Sequence, residues 1–252
     1  MTETLPIVLP DLSYTDAGAG PVVLLLHGGV GTMSVTGLAE LLVGAGHRVL
    51  TPTHPGFDGT AYLPGTCDVR GLAAVYAAML AELNLSDVTV VGSSLGGWVA
   101  AELALVSARV GRLVLVDAIG VEVPGHPVAD VFALTPDEVT ALAFHDADRF
   151  RVDPATLPPG ALAAMAANDA ALAAYTGGAP ADPTLAGRLG GIAVPTLVLW
   201  GAGDGIVTPG YGRAYAAAIP GARFELIPAA GHLPQLEAPG PTMRAIAAFV
   251  AG

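Results

Sequence analysis

A turn rich in glycine and serine, near the middle of the chain, is the first segment that could do chemistry. Gly92-Ser93-Ser94-Leu95-Gly96 satisfies the pattern Gly-x-Ser-x-Gly and lies between a predicted strand, residues 88–91, and a predicted helix, residues 95–107. A sharp strand-to-helix turn of this kind exposes the serine hydroxyl, and its glycines let the two backbones approach closely. Ser94 is therefore predicted to be a nucleophile. The competing interpretation is a flexible turn whose serine caps the following helix.

A serine hydroxyl is a weak nucleophile at neutral pH, so Ser94 needs a base, and the base needs a group that holds its tautomer. His232 is the predicted base, because it lies between the last predicted strand and the last predicted helix. Asp204 follows the penultimate strand and is the predicted orienting acid. Asp117, just beyond the strand at residues 113–116, is the competing acid. For His232 the alternative is an ordinary position on a surface loop.

A tetrahedral intermediate on Ser94 would carry an oxyanion, which needs donors that are already in place. The predicted donors are the backbone N–H groups of Leu95 and Gly29. The glycines around Gly29 could equally serve only to turn the chain after a strand. We assign the substrate pocket to Gly28, Val30, Trp98 and His145. For His145, and for His126 in the same region, a loop or core position is the alternative.

Composition excludes several other kinds of chemistry. Acidic residues outnumber basic ones 22 to 10, for a formal charge of −12, which disfavours nucleic acid and anionic membranes as partners. The chain has no lysine, so a lysine Schiff base and the usual P-loop are excluded, and Cys67 is its single cysteine. We expect a small-molecule substrate, no cofactor and no metal. The oligomeric state stays open, and a cytoplasmic location is the default expectation.

The elements that must position these residues alternate between strand and helix over most of the chain. This alternation predicts an α/β fold, a mostly parallel central sheet with helices on both faces. Residues 7–9 and 12–15 are predicted to form an opening hairpin. The alternation breaks near Gly120 and resumes near Gly191, and the interval carries two predicted helices, residues 136–144 and 159–175. We therefore predict a core of residues 1–119 and 192–252 with an insertion of residues 120–191.

These segments together resemble the α/β-hydrolase superfamily over nearly the whole chain. In family order they are His27-Gly28-Gly29, the loop at residues 54–59, the turn at Ser94, Trp200-Gly-x-x-Asp204 and Gly231-His232-x-Pro-x-x-Glu. One departure is Phe57-Asp58-Gly59, where the family usually has a polar residue. The resemblance implies the α/β-hydrolase fold, with residues 120–191 as a helical cap that lies over the site and shapes substrate selection.

The function we predict is serine hydrolysis of an ester-like bond through an acyl-enzyme. The segment 121–175 is dominated by Ala, Leu, Val and Pro, which favours a small, largely apolar substrate. Two alternatives within enzymes are hydrolysis of a carbon–carbon bond and perhydrolysis, which similar triads also serve. A third is a ligand-binding protein that keeps the fold without turnover.

Overall fold

The computed structural model describes residues 12–64 and 66–251 of the chain. The strands are β1 (Tyr14–Ala17), β2 (Val22–Leu26), β3 (Arg48–Pro52), β4 (Val88–Ser93), β5 (Val110–Val116), β6 (Gly120–Val121), β7 (Ala181–Asp182), β8 (Thr196–Gly201) and β9 (Arg223–Ile227). The α-helices are α1 (Thr36–Gly44), α2 (Val69–Glu82), α3 (Leu95–Val106), α4 (Pro136–Ala143), α5 (Ala147–Phe150), α6 (Ala161–Thr176), α7 (Leu185–Arg188), α8 (Pro209–Ala217), α9 (Pro234–Glu237) and α10 (Pro239–Ala251).

Seven of these strands form one sheet in the order β1-β3-β2-β4-β5-β8-β9. Every neighbouring pair is parallel except β1 and β3, which are antiparallel. The central strands are continuous apolar runs because helices cover both of their faces; β4, for example, is buried at all six positions. The predicted parallel sheet with helices on both faces is confirmed.

The predicted opening hairpin is corrected in its second arm. The strand runs over Tyr14–Ala17 instead of residues 12–15 and pairs with β3, so Asp16 and Ala17, which lie beyond the predicted arm, belong to the strand. A hydrogen-bonded partner from another part of the chain decided where this strand ends. The first arm, residues 7–9, lies outside the described residues.

Two apolar layers enclose the sheet, and alternate residues of one strand point into different layers. In β2, Leu24 and Leu26 pack with α2, α3 and α8, whereas Val23 and Leu25 pack with α1 and α10. The carboxyl ends of the parallel strands therefore meet at one edge of a rigid sheet, and loops that follow these strands are brought together there.

Residues 120–191 connect β5 to β8. They contain the short parallel pair β6–β7 and four helices, of which α4 and α6 correspond to the two predicted helices. Thr135 and Glu138 form a reciprocal capping box at the start of α4, which explains why this helix begins where the sequence indicates. Within the described ranges, no helix combines the length and apolar character needed to cross a bilayer.

Candidate active site

Ser94 stands at the turn between β4 and α3 in a left-handed backbone conformation, with φ of 53°. The neighbouring glycines permit this turn. A Cβ on Gly92 would lie 2.2 Å from the Gly96 carbonyl oxygen, and a Cβ on Gly96 would lie 2.3 Å from the carbonyl oxygen of Leu26. Both distances are shorter than real contacts allow, so only glycine fits at either position. The Ser94 residue is 9% exposed.

Two hydrogen bonds join Ser94, His232 and Asp204 in a chain. His232 Nε2 lies 2.9 Å from Ser94 Oγ, and His232 Nδ1 lies 2.8 Å from Asp204 Oδ2. Asp204 and His232 are 3% and 7% exposed, so water competes little with these bonds. Asp204 follows β8 and His232 follows β9, which is why two loops far apart in the sequence meet beside Ser94.

The second oxygen of Asp204 holds the carboxylate in place. Asp204 Oδ1 accepts hydrogen bonds from the backbone N–H groups of Ile206, at 2.8 Å, and Val207, at 3.1 Å. With Oδ2 left to accept, the proton of a neutral His232 sits on Nδ1. His232 Nε2 is then the acceptor for the Ser94 hydroxyl, which is the arrangement that a general base requires.

Asp117 lies beside this chain and has no hydrogen bond to His232. Its Oδ1 accepts from the backbone N–H of Gly201 at 2.8 Å, and its buried Oδ2 has no hydrogen-bond partner among the described residues. Complete burial and the nearby Asp204 carboxylate raise the pKa of Asp117 well above its usual range. Both effects favour the neutral form of Asp117, and Asp204 is the acid that contacts His232.

Asp117, Asp204 and His232 each offer a ligand atom within 4.8 Å of the others, which is close enough for a shared cation. The atoms of Asp204 and His232 are already engaged with Ser94, Ile206, Val207 and each other. Burial and the Asp204 carboxylate raise the pKa of Asp117, which disfavours the carboxylate form that metals bind. These donors fit a hydrogen-bonded site better than a metal centre.

The loop that follows β2 lies directly against Ser94. A Cβ on Gly28 would lie 3.0 Å from Ser94 Cβ and 3.7 Å from Ser94 Oγ. Among the described residues, the N–H of Gly29 donates to no protein acceptor. Leu95 is the first residue of α3, where a helical N–H has no acceptor within its own helix. The structure thus brings together Ser94, Gly28, Gly29 and Leu95.

The other residues assigned to the pocket are more distant from this chemistry. Trp98 is 5% exposed and packs in the core against Gly120, and the Val30 side chain is 47% exposed. His145 is exposed and lies against Gly203. His126 is half-buried, with its ring near Thr208. The pocket roles of Val30, Trp98 and His145 stay predictions.

Helix α6 contributes contacts that sequence reasoning missed. Asn168 Nδ2 donates to the Val30 carbonyl at 3.1 Å and to Asp58 Oδ1 at 2.9 Å, while its Oδ1 accepts from the Asp58 backbone N–H at 2.8 Å. One turn later, Leu172 lies over Gly29, since its Cδ2 would be 2.8 Å from a Cβ at that position. The signal in the sequence was one Asn in an Ala-rich predicted helix, four residues before a Leu, a spacing that places both on one helix face.

Glu237, at the end of α9, links Gly231, the neighbour of His232, to residues 145–146. Its carboxylate accepts from the backbone N–H groups of Gly231, His145 and Asp146. The His232 N–H also donates to the Ala143 carbonyl at 2.7 Å. The position of His232 therefore depends on contacts with the segment that follows α4.

Comparisons with known proteins identify the family and the fold. The model of a family described as the alpha/beta hydrolase family matches residues 23–245. A 2-hydroxy-6-oxononadienedioate/2-hydroxy-6-oxononatrienedioate hydrolase of Cupriavidus pinatubonensis is 30% identical, over 88% of this chain and 84% of that protein. A thermophilic esterase of Thermogutta terrifontis is 27% identical, with a TM-score of 0.77 over 95% of this chain and 93% of the other. A bromoperoxidase of Bacillus anthracis shares the fold at 23% identity, with a TM-score of 0.78 over 96% and 95% of the two chains.

Proposed function

This chain belongs to the alpha/beta hydrolase family, and on that premise we propose that it is a serine hydrolase that cleaves an ester-like bond of a small, largely apolar substrate. The observation that carries the proposal is the hydrogen-bonded chain Ser94–His232–Asp204. A buried imidazole with an acceptor nitrogen toward a serine hydroxyl, and a carboxylate behind it, is a general base beside its nucleophile.

The proposed reaction has two halves. His232 Nε2 takes the hydroxyl proton as Ser94 Oγ attacks the carbonyl carbon, and Asp204 stabilises the resulting imidazolium. The N–H groups of Gly29 and Leu95 hold the oxyanion. Collapse of the intermediate expels the alcohol, which takes the proton from His232 and leaves an acyl group on Ser94. Water, deprotonated by the same His232, then releases the acid and restores the serine.

We further propose that residues 120–191 act as a cap that selects the substrate. Leu172 and Asn168 support this role, because both lie against the loop that carries Gly29 and Val30. Leu172 gives an apolar wall beside the position of the oxyanion, which favours a substrate with an apolar group next to its carbonyl.

Carbon–carbon bond hydrolysis is the second candidate, since the relative from Cupriavidus pinatubonensis carries the name of such a substrate, a dioate. The arginines of residues 120–191 weigh against a dianionic substrate. Arg149 is exposed and lies over the Phe150 ring. Arg151 is exposed and pairs with Asp137 and Asp148, and Arg188 pairs with Glu102 and Asp182. In the described part of the chain, no arginine side chain bonds to Ser94, His232 or residues 27–30. A neutral ester needs no such cation.

Ester hydrolysis by the parent and by Ser94→Ala tests the proposal. We expect the parent to hydrolyse short p-nitrophenyl esters with a burst of alcohol, to react with a fluorophosphonate at Ser94, and to lose both properties in Ser94→Ala. Retention of full hydrolysis by Ser94→Ala would exclude Ser94 as nucleophile. Failure of folded parent protein to react with the fluorophosphonate would instead favour a ligand-binding role. A single-turnover comparison of an ester with a vinylogous diketone separates the two enzymatic candidates, since only the ester gives an alcohol burst.

A further inference from the structure

Two histidines that take no part in the proposed reaction are buried beneath the loop that carries Gly29. His27 follows β2 and His54 follows β3, and both are fully buried. Their ring centroids lie 3.9 Å apart. Tyr76 of α2 is also fully buried and is hydrogen-bonded to His54. Three buried polar side chains in contact need a consistent set of hydrogen bonds.

The bonds around His27 permit one protonation state. The backbone N–H of His54 donates to His27 Nε2 at 2.9 Å, so this nitrogen carries no proton. The other nitrogen, Nδ1, lies 2.7 Å from the Gly28 carbonyl oxygen, which can only accept. His27 is therefore neutral with its proton on Nδ1. Burial agrees with this assignment, because it lowers the pKa of His27 to about 4.

The bonds around His54 are fixed in the same way, with the opposite tautomer. His54 Nε2 lies 2.9 Å from the carbonyl oxygen of His27, so Nε2 carries the proton and donates it. His54 Nδ1 then accepts from the Tyr76 hydroxyl. Burial lowers the pKa of His54 well below its usual range, and the neighbouring His27 lowers it further. Each histidine thus donates to a backbone carbonyl, and His54 also supplies the N–H that holds His27.

The carbonyl that His27 holds belongs to the peptide that carries the Gly29 N–H. In a trans peptide the C=O and N–H point in opposite directions and lie in one plane, so fixing the Gly28 oxygen fixes the direction of the Gly29 hydrogen. The Gly31 N–H donates to the same oxygen at 3.2 Å and leaves His27 as the shorter of the two contacts. The Gly29 N–H, on the opposite side of the peptide, is left without a protein acceptor.

We propose that His27 is a positioning residue, which aims the Gly29 N–H at the oxyanion through its bond to the Gly28 carbonyl, and that His54 and Tyr76 hold His27 in the required tautomer. This inference rests on the proposed function. The Gly29 N–H stabilises the transition state only when it points at the developing negative charge. His27 and His54 would supply that orientation.

Two substitutions of His27 separate its two hydrogen bonds. Asn places an amide N–H where Nδ1 stands, so His27→Asn keeps the donor to Gly28 and loses the acceptor for His54. Gln reaches the position of Nε2, so His27→Gln keeps the acceptor and loses the donor. Removal of a whole oxyanion donor lowers kcat by roughly 10²- to 10³-fold. We therefore expect His27→Gln to lower kcat by about 10- to 100-fold with little change in KM, and His27→Asn to stay within about threefold of the parent.

The proposal is overturned if folded His27→Gln keeps the kcat of the parent, or if the two variants lose kcat equally. A second measurement needs no variant. Nitrogen NMR of the full-length parent at pH 7 should show one proton on Nδ1 of the buried His27 and one on Nε2 of His54. A proton on His27 Nε2 would contradict the inference whatever the kinetics. Because the tautomers do not depend on Ser94, a failed Ser94→Ala test would refute the hydrolase proposal and leave this structural result intact.

Discussion

Lowering the pH should destabilise this protein through His27, and the sign follows from its burial. Folding lowers the pKa of His27 to about 4 from its usual 6.5, so below pH 6.5 the unfolded chain binds a proton that the folded protein does not. The stability that the neutral imidazole contributes is therefore fully present above pH 6.5. It is lost progressively as the pH falls toward 4.

The size of the effect follows from the same two values. One pKa unit corresponds to about 1.4 kcal/mol, so a shift from 6.5 to about 4 corresponds to about 3.4 kcal/mol in full. At pH 5 the unfolded state is almost fully protonated at this position and the folded state is almost neutral. We expect about 2 kcal/mol of the free energy of unfolding to be lost there through His27 alone.

Urea unfolding of the parent and of His27→Asn, at several pH values between 7.5 and 4.5, isolates this contribution. The variant has no titrating group at position 27, while His54 and the carboxylates titrate in both proteins. The difference in unfolding free energy between the two proteins should change by about 2 kcal/mol, in favour of the variant, from pH 7.5 to pH 5. A difference that stays constant with pH refutes the reasoning. His126→Asn, at a half-buried position away from the site, controls for the loss of an imidazole.

Three further predictions concern the site and its support. Asp117→Asn should keep kcat/KM within a few fold at pH 7, since Asp117 makes no hydrogen bond to His232 and burial favours its uncharged form. A loss above about tenfold would mean that its charge is needed. Leu172→Ala should raise the ratio of kcat/KM for an ester with a bulkier acyl group to kcat/KM for the acetate ester, whereas Leu162→Ala, at an exposed position of the same helix, should leave this ratio unchanged. Equal ratios in the two variants would show that Leu172 does not line the pocket. Gly96→Ala should lower the melting temperature sharply or abolish soluble expression, because its Cβ would meet the Leu26 carbonyl, and a variant as stable as the parent would contradict the close approach.

The sequence was most informative where function depends on position along the chain. Ser94, Asp204 and His232 each follow a strand, and strand ends in a parallel sheet meet at one edge, so their proximity could be predicted from element order alone. The strand at residues 88–91 could be predicted because a strand covered by helices on both faces is hydrophobic almost throughout, and this short β-branched segment fits that pattern.

The remaining features depend on pairings that no local pattern contains. Asn168 donates to the carbonyl of Val30, 138 residues away in the sequence. A single Asn in an Ala-rich helix gives no indication of which distant residue it will contact. The antiparallel pairing of β1 with β3 joins residues more than 30 positions apart, so the sequence did not predict that this strand extends to Ala17. The tautomers of His27 and His54 are set by four hydrogen bonds among three elements, and composition and spacing carry no information about proton positions.

The carboxylate of Glu237 has a consequence for recombination between relatives. The Glu237 carboxylate, at the end of α9, accepts from the amides of Gly231, His145 and Asp146, so it ties residues 145–146 to the segment that carries His232. Replacing residues 120–191 with the corresponding segment of a relative would therefore disturb this contact. A chimera whose imported segment displaces the backbone at positions 145 and 146, or carries proline there, would leave the Glu237 carboxylate without two of its three donors. Crossover points chosen to move residues 143–146 and 231–237 as one unit should yield active hybrids more often than crossovers placed between them.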